Sequence, residues 1–209
     1  YRPGRALRSI SRGGGDLAPG GGATPRLPRG DSPGSARPPP FAHDGTERRI
    51  GRPQNATEQT RCYSGKKKCH TVKNLLLLNA PLTLLFLSET ADGHVQDKRL
   101  ADTTPYPLPA GSQLLQDLGF LAFTLPQVEL LMPTKKPRGR ELTPDQKAAN
   151  PAVARRRVRI EHVNSSVKRC RIVKDTLRLL KAGLRDLVME LCCALHNFRV
   201  RLTPWLPMA

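Results

Sequence analysis

HTVKNLLLLN at residues 70–79 and LTLLFLS at 82–88 decide the fold of this chain. Each is an apolar run of strand length, and Asn79, Ala80 and Pro81 between them suit a turn, so the pair reads as a β-hairpin with buried strands. Further along, 92–102 (DGHVQDKRLAD) is polar and helix-compatible and leads into a Pro-rich loop at 103–111. Residues 112–123 and 127–132 (QVELLM) predict two more strands, followed by a Pro- and Lys-rich loop at 133–144. Pro151 suits the first turn of a long helix reaching about Lys174, where its missing N–H costs nothing. Val153, Ile160, Val163, Val167 and Cys170 give that helix one narrow apolar stripe, fit to pack on a sheet. A last helix from Leu184 to about Val200 sets Leu184, Leu187, Val188, Leu191, Cys192, Leu195 and Phe198 on one face, which is expected to meet the core. Strands, a short helix, more strands and two long helices indicate a mixed α/β domain over 41–209.

Upstream the texture is different. Residues 1–40 hold nine Gly, eight Pro and seven Arg, with Leu7, Ile10, Leu17 and Leu27 as the large aliphatics. Such a segment cannot bury enough apolar surface to offset the entropy of ordering it, so a disordered tail is expected, either a basic nucleic-acid-binding arm or a linker. Pro38, Pro39 and Pro40 run directly into the domain and predict a first strand short of ladder donors, as though the domain were truncated at its front edge.

Charge narrows the function. The 209 residues carry 35 Lys and Arg against 17 Asp and Glu, a formal charge of +18, which argues against a neutral metabolic enzyme and for a polyanionic partner. Cys62, Cys69, Cys170, Cys192 and Cys193 form neither a CxxC pair nor a spaced ligand set and read as reduced intracellular thiols. The apolar stretch 75–87 is broken by Asn79 and Pro81 and falls short of the roughly 18–20 residues that span a bilayer. No signal peptide is visible at the start, so neither membrane insertion nor secretion is expected.

Three acids stand out against this background. Asp44 precedes Gly45 in DGTE, Asp117 sits in LLQDLGF at the end of an expected strand, and Glu161 is embedded among Arg155, Arg156, Arg157, Arg159, Lys168, Arg169 and Arg171. Taken singly, Asp44 reads first as a turn and Asp117 as a strand-end cap, while Glu161 reads equally as a site residue and as a charge-balancing surface acid. His70, His94, His162 and His196 show no ligand spacing and read as structural or surface residues.

Asp44–Glu47, YSGKKKCHTVKN at 63–74, QDKRLAD at 96–102, LLQDLGF at 114–120, TKKPRGRELT at 134–143, the segment 157–169 and ALHNFR at 194–199 together resemble transposases of the DDE superfamily, in its insertion-sequence and PIF/Harbinger-like endonuclease group. The resemblance covers nearly all of 41–209 and none of 1–40. It implies an RNase H-like mixed sheet flanked by helices, in which Asp44, Asp117 and Glu161 hold two divalent cations, Mg²⁺ or Mn²⁺, for DNA strand cleavage and transfer. Asp97 competes with Asp117 for the second position. Arg157, four residues before Glu161, and Lys168, seven after it, match the family's Arg, Glu, Lys arrangement on one helical face, whereas the Tyr of some relatives is Ala154 here.

Two metal ions can both neutralise a phosphoryl centre and generate its nucleophile, and such hard cations prefer carboxylate oxygens. From Thr134 to Lys181 there are 15 Lys and Arg against four Asp and Glu, a field that attracts the DNA backbone. Lys66, Lys67 and Lys68, and Lys135, Lys136, Arg138 and Arg140, are candidate phosphate contacts, and equally plain solvated loops. The expected partners are double-stranded DNA, as transposon ends and target, and a second copy in a homodimer; the expected location is the bacterial cytoplasm at the nucleoid. The competing function is a catalytically inactive, truncated remnant that binds nucleic acid non-specifically. A small RNA-binding protein is disfavoured, because no RNP-type aromatics and no KH-like GXXG setting are present.

Overall fold

The structure, a computed structural model, describes residues 40–139, 141–178 and 181–208. Of the tail expected over 1–40 only Pro40 falls within them. In chain order the elements are β1 (Pro40–Arg49), α1 (Ala56–Cys62), β2 (Tyr63–Ser64), β3 (Cys69–Leu78), β4 (Leu84–Leu87), β5 (Ala91–Asp92), α2 (Asp97–Asp102), β6 (Gln113–Leu115), a 3₁₀ turn at Leu118–Phe120, β7 (Glu129–Leu131), α3 (Pro144–Val167), α4 (Arg171–Lys174) and α5 (Ala182–Leu202). The sheet runs β2-β3-β1-β6-β7, with β4 and β5 also on β3. β1 is antiparallel to β3 and parallel to β6, and β6 is parallel to β7, so the fold is the expected RNase H-like mixed α/β sheet flanked by helices.

Four consecutive leucines explain why β3 is central. Leu75, Leu76, Leu77 and Leu78 are all buried, and alternate side chains feed opposite layers. Leu76 and Leu78 join Ala42, Leu115, Ile160, Val163, Val167, Met189 and Cys192 under α3 and α5, while Leu75 and Leu77 join Phe41, Leu100, Leu114, Phe120 and Phe123 under α2. The expected hairpin forms, with Leu76 opposite Leu87 and Leu77 opposite Phe86. Asn197 of α5 completes it: its Oδ1 accepts the Leu84 N–H (2.8 Å) and its Nδ2 donates to the Leu84 carbonyl (2.9 Å), satisfying backbone groups of β4.

Five expectations need correction. The strand expected over 112–123 is confined to Gln113–Leu115, and Leu118–Phe120 form a 3₁₀ turn capped by Asp117. The first strand is not interrupted: β1 spans ten residues, with Pro40 only at its start, where a missing ladder donor is tolerated, and Ala42–Arg49 pair with β3. Pro38 and Pro39 lie outside the described residues. The helix across 92–102 is confined to Asp97–Asp102, because Ala91 and Asp92 pair with Lys73 and Val72. Pro151 does not start the long helix; Thr143 does, through a capping box in which its hydroxyl accepts the Gln146 N–H and the Gln146 side chain accepts the Thr143 N–H. Pro144 takes the first-turn position, Pro151 lies inside α3, and the helix ends at Val167, leaving Cys170 to precede the separate α4.

The last correction concerns α5. Of its expected core face only Val188 and Cys192 turn inward, whereas Leu184, Leu187, Leu191, Leu195 and Phe198 are exposed. The core side is Met189, Cys192, Cys193, His196 and Val200. The helix is apolar on two opposite sides, so the spacing alone was ambiguous. No helix among the described residues is long and apolar enough to cross a membrane.

The buried leucines of β3 carry the sheet, so Leu76→Ala is expected to cost about 2–5 kcal/mol. A urea melt would show a lower midpoint with an unchanged slope; an unchanged midpoint would contradict this packing.

Candidate active site

Strand alternation places Ala42, Asp44, Thr46 and Arg48 on the α3–α5 side of the sheet and Phe41 and His43 on the α2 side. Arg48 is buried and held there by the Asn74 side chain (2.7 Å), the Thr90 hydroxyl (2.8 Å) and the Arg185 carbonyl (2.8 Å). Asp44 lies opposite Leu76 in the middle of the sheet. Its Oδ1 accepts the Gly45 N–H (2.9 Å) and its Oδ2 accepts Nδ2 of Asn164 on α3 (2.6 Å).

Two glycines let other acids approach. A Cβ at Gly45 would lie 3.1 Å from Asp97 Oδ1, and one at Gly119 would lie 2.8 Å from Asp117 Oδ1 and 3.3 Å from Asp97 Oδ2. Asp97 opens α2 and pairs with Lys73 (3.1 Å). Asp117 lies two residues beyond β6 and caps the 3₁₀ turn, with its Oδ1 accepting the Gly119 N–H. Arg157 of α3 approaches Asp117 Oδ2 (3.4 Å) on one side and Glu161 Oε1 (3.9 Å) on the other.

The acids therefore divide. Asp97 and Asp117 both approach Gly119 and act on Asp44 through their charge, whereas Glu161 faces solvent, its side chain 62% exposed, and connects to Asp117 through Arg157. Among the described residues no three His, Cys, Asp or Glu side chains are grouped so as to hold a metal ion. The donor chemistry nevertheless suits a hard divalent cation: the available groups are carboxylate oxygens, and the buried Oδ1 of Asn164, beside Asp44, has no hydrogen-bond partner.

Electrostatics support the same view of the site. Burial pushes the Asp44 carboxyl up from 3.8 to about 6; the negative charge of Asp117 adds to this, Arg157 and the Gly45 N–H oppose it, and Asp97 adds a little more. A carboxyl raised in the folded state favours folding while protonated. That contribution is complete below pH 3.8 and is lost as pH rises through about 6, so at neutral pH the ionised Asp44 destabilises the fold.

Lys168, directly after α3, is held below the usual lysine range by burial and by Lys67, with Asp44 and Glu47 opposing, which places Lys168 in the field of Asp44. Lys66, Lys67 and Lys68 are exposed in the turn between β2 and β3. Lys135, Lys136 and Arg138 are exposed in the loop after β7, where Lys136 pairs with Glu141; Arg140 lies outside the described residues. Asn150 ties this loop to α3 by accepting the Thr134 N–H (2.8 Å) and donating to its carbonyl (3.1 Å).

Behind Asp44, His43 is fully enclosed. Burial lowers its pKa to about 4, so it is neutral at pH 7, and its ring stacks on Phe120 with centroids 4.0 Å apart. Nδ1 accepts the Tyr106 hydroxyl (2.6 Å) while Nε2 faces Gln116 Oε1 (3.3 Å), which clamps β1 to the turn that presents Asp117. Sequence reasoning did not single out His43, Lys73 or Asn164. Asn164 was legible, since Arg157, Glu161, Asn164 and Lys168 recur at spacings of four, three and four, one helical face.

Residues 43–197 match the family model described as DDE superfamily endonuclease. The chain is 29% identical over 161 residues to the probable transposase for insertion sequence element IS702 of Microchaete diplosiphon, an alignment covering 76% of this chain and 56% of that relative. The chain thus spans little more than half the length of the curated relative it matches. No solved structure matches it.

Asp44→Asn removes the buried charge, and once the Asn164 amide turns over, the new amide can donate to the Oδ1 of Asn164 while its own oxygen keeps the Gly45 N–H. The substitution is expected to raise stability at pH 7 by about 1–3 kcal/mol and to lose that advantage near pH 4. Thermal melts at the two pH values check this; a destabilised variant at pH 7 would contradict the assigned burial.

Proposed function

Since the chain belongs to the DDE superfamily endonucleases, we propose that it is the catalytic portion of a DNA transposase that cleaves and transfers DNA strands with divalent cations. The observation that supports this reading is a buried Asp44 carboxyl that feels the charge of Asp117, beside a helix that carries Arg157, Glu161 and Lys168 on one face. Asp44, Asp117 and Glu161 would hold two Mg²⁺ or Mn²⁺ ions. Bound there, the ions would supply the charge neutralisation and activated water that phosphodiester cleavage needs.

The remaining tasks fall to the chain itself. Asn164 and the Gly45 N–H orient the Asp44 carboxylate, and Arg157 keeps Asp117 and Glu161 on one side of the site. Asp97, fixed by Lys73, deepens the negative field that attracts a cation. Lys66, Lys67, Lys68 and Lys168 on one side, and Lys135, Lys136 and Arg138 on another, bind phosphates of double-stranded DNA, the transposon ends and the target. Such contacts release condensed counterions, so affinity falls steeply as salt rises. A bacterial cytoplasmic location at the nucleoid follows from the substrate.

A second reading is an inactive remnant that binds DNA without cutting it. One observation favours it: Glu161 faces solvent, and its link to the other acids runs through Arg157. Nicking of supercoiled plasmid with Mg²⁺ separates the two. The catalytic reading expects nicking that drops at least about 100-fold in Asp44→Asn and in Glu161→Gln, with DNA binding retained. Binding without Mg²⁺-dependent nicking supports the remnant, and nicking unchanged in Glu161→Gln removes Glu161 from the centre.

A further inference from the structure

On the side of α3 turned away from the acids, a cleft of about 280 Å³ opens between this helix and the segment that follows α5. Arg159, His162, Ser165, Ser166 and Arg169 line it from α3 and the turn after it, Trp205 lines it from the other side, and no carboxylate does. Around the helix these five residues are centred roughly 130° from Arg157, Glu161, Asn164 and Lys168, so the cleft is a separate site. Its walls are fixed. The Met208 N–H donates to the Ala80 carbonyl (2.9 Å), Arg159 donates to the Leu206 carbonyl, and the Trp205 ring meets His196 nearly at right angles, with centroids 5.5 Å apart. Arg199 of α5 holds the helix side by donating to the Ser166 carbonyl (3.2 Å). The Ser166 side chain, by contrast, is unsatisfied: the residue is 2% exposed and its hydroxyl has no hydrogen-bond partner. A buried hydroxyl in that state costs free energy that a ligand oxygen would recover.

We propose that this cleft binds a single nucleotide through a terminal phosphate, with the base against Trp205. Charge selects an anion, because two guanidinium groups and an imidazole face no acid there. Donor number selects a terminal phosphate. The side chains of Arg159, His162, Ser165, Ser166 and Arg169 suit the three terminal oxygens of a phosphomonoester, which carries nearly a second negative charge, better than the two free oxygens of a phosphodiester. Size selects one nucleotide: the cleft lies just under the roughly 300–1,000 Å³ of small-molecule sites, too small for a duplex. Trp205 supplies a flat apolar surface on which a base stacks whatever its sequence. A free nucleotide and the phosphorylated end of a DNA strand carry the same chemistry. Binding of either here requires no metal at Asp44.

Trp205 is the sole tryptophan of the chain, so its fluorescence reports on the cleft directly. Deoxyadenosine monophosphate added to the full chain should change that fluorescence saturably, whereas deoxyadenosine should not. Arg169→Glu and His162→Glu, both at exposed positions, should keep an unchanged circular dichroism spectrum and weaken binding about 10- to 100-fold. If either variant does not fold, Ser166→Ala decides: it loses no hydrogen bond within the protein, so it should melt no lower than the wild type while binding the nucleotide less tightly. Displacement of radiolabelled deoxyadenosine monophosphate by short single strands identifies the source. A strand with a terminal phosphate that displaces it, where the same strand without that phosphate does not, assigns the cleft to strand ends; displacement by neither assigns it to free nucleotides. A fluorescence that ignores the nucleotide overturns the proposal. So does an equal response to the nucleoside, unchanged binding in folded Arg169→Glu or in Ser166→Ala, or equal displacement by both strands, which would make the cleft an ordinary contact for the DNA backbone.

Discussion

A carboxylate in the middle of a buried sheet is expensive, and the arrangement around Asp44 is understood from that cost. Its strand cannot slide, because a one-residue shift in pairing with β3 would turn Asp44 to the α2 side and bury Gly45 under α3. The four leucines of β3, sealed on both faces, fix that register. With the strand fixed, Asn164 and the Gly45 N–H satisfy both oxygens, yet burial and Asp117 still hold the group near pH 6. A site that keeps an ionisable acid in this state stores free energy that a bound cation can release.

Helix α3 joins stability to chemistry. Ile160, Val163 and Val167 pack on the sheet, and about a quarter turn away Arg157, Glu161, Asn164 and Lys168 line the acidic group. The same apolar contacts that anchor the helix set how close its polar face comes to Asp44 and Asp117. On the opposite layer, His43 stacked on Phe120 ties β1 to the turn that carries Asp117. Two acids far apart in sequence are thereby positioned by packing rather than by a direct bond between them.

Much of this was legible in the sequence, and the losses have physical causes. The leucine run, the hairpin turn, the strands at β6 and β7 and the existence of both long helices could be read because strand length and helical spacing are strong signals. The start of α3 was misplaced because Pro151 resembles a first-turn proline, while Thr143 with Gln146 is a capping box that takes precedence. The orientation of α5 could not be read, because its two sides are both apolar and periodicity cannot choose between them. In the site, Arg157 reaches Asp117, and the charges of both act on Asp44; local sequence read the two acids only as a turn and a strand-end cap. The closeness of Asp97 depends on Gly45 and Gly119 leaving room, a tertiary effect with no local signature.

The most direct measurement is a titration of the Asp44 carboxyl by carbon-detected magnetic resonance, with and without Mg²⁺. Without metal the carboxyl should titrate near pH 6, and Mg²⁺ should move the transition to lower pH as the cation stabilises the ionised form. An Asp44 that titrates like an exposed aspartate, or one whose titration ignores Mg²⁺, would contradict a buried acid poised for a divalent cation.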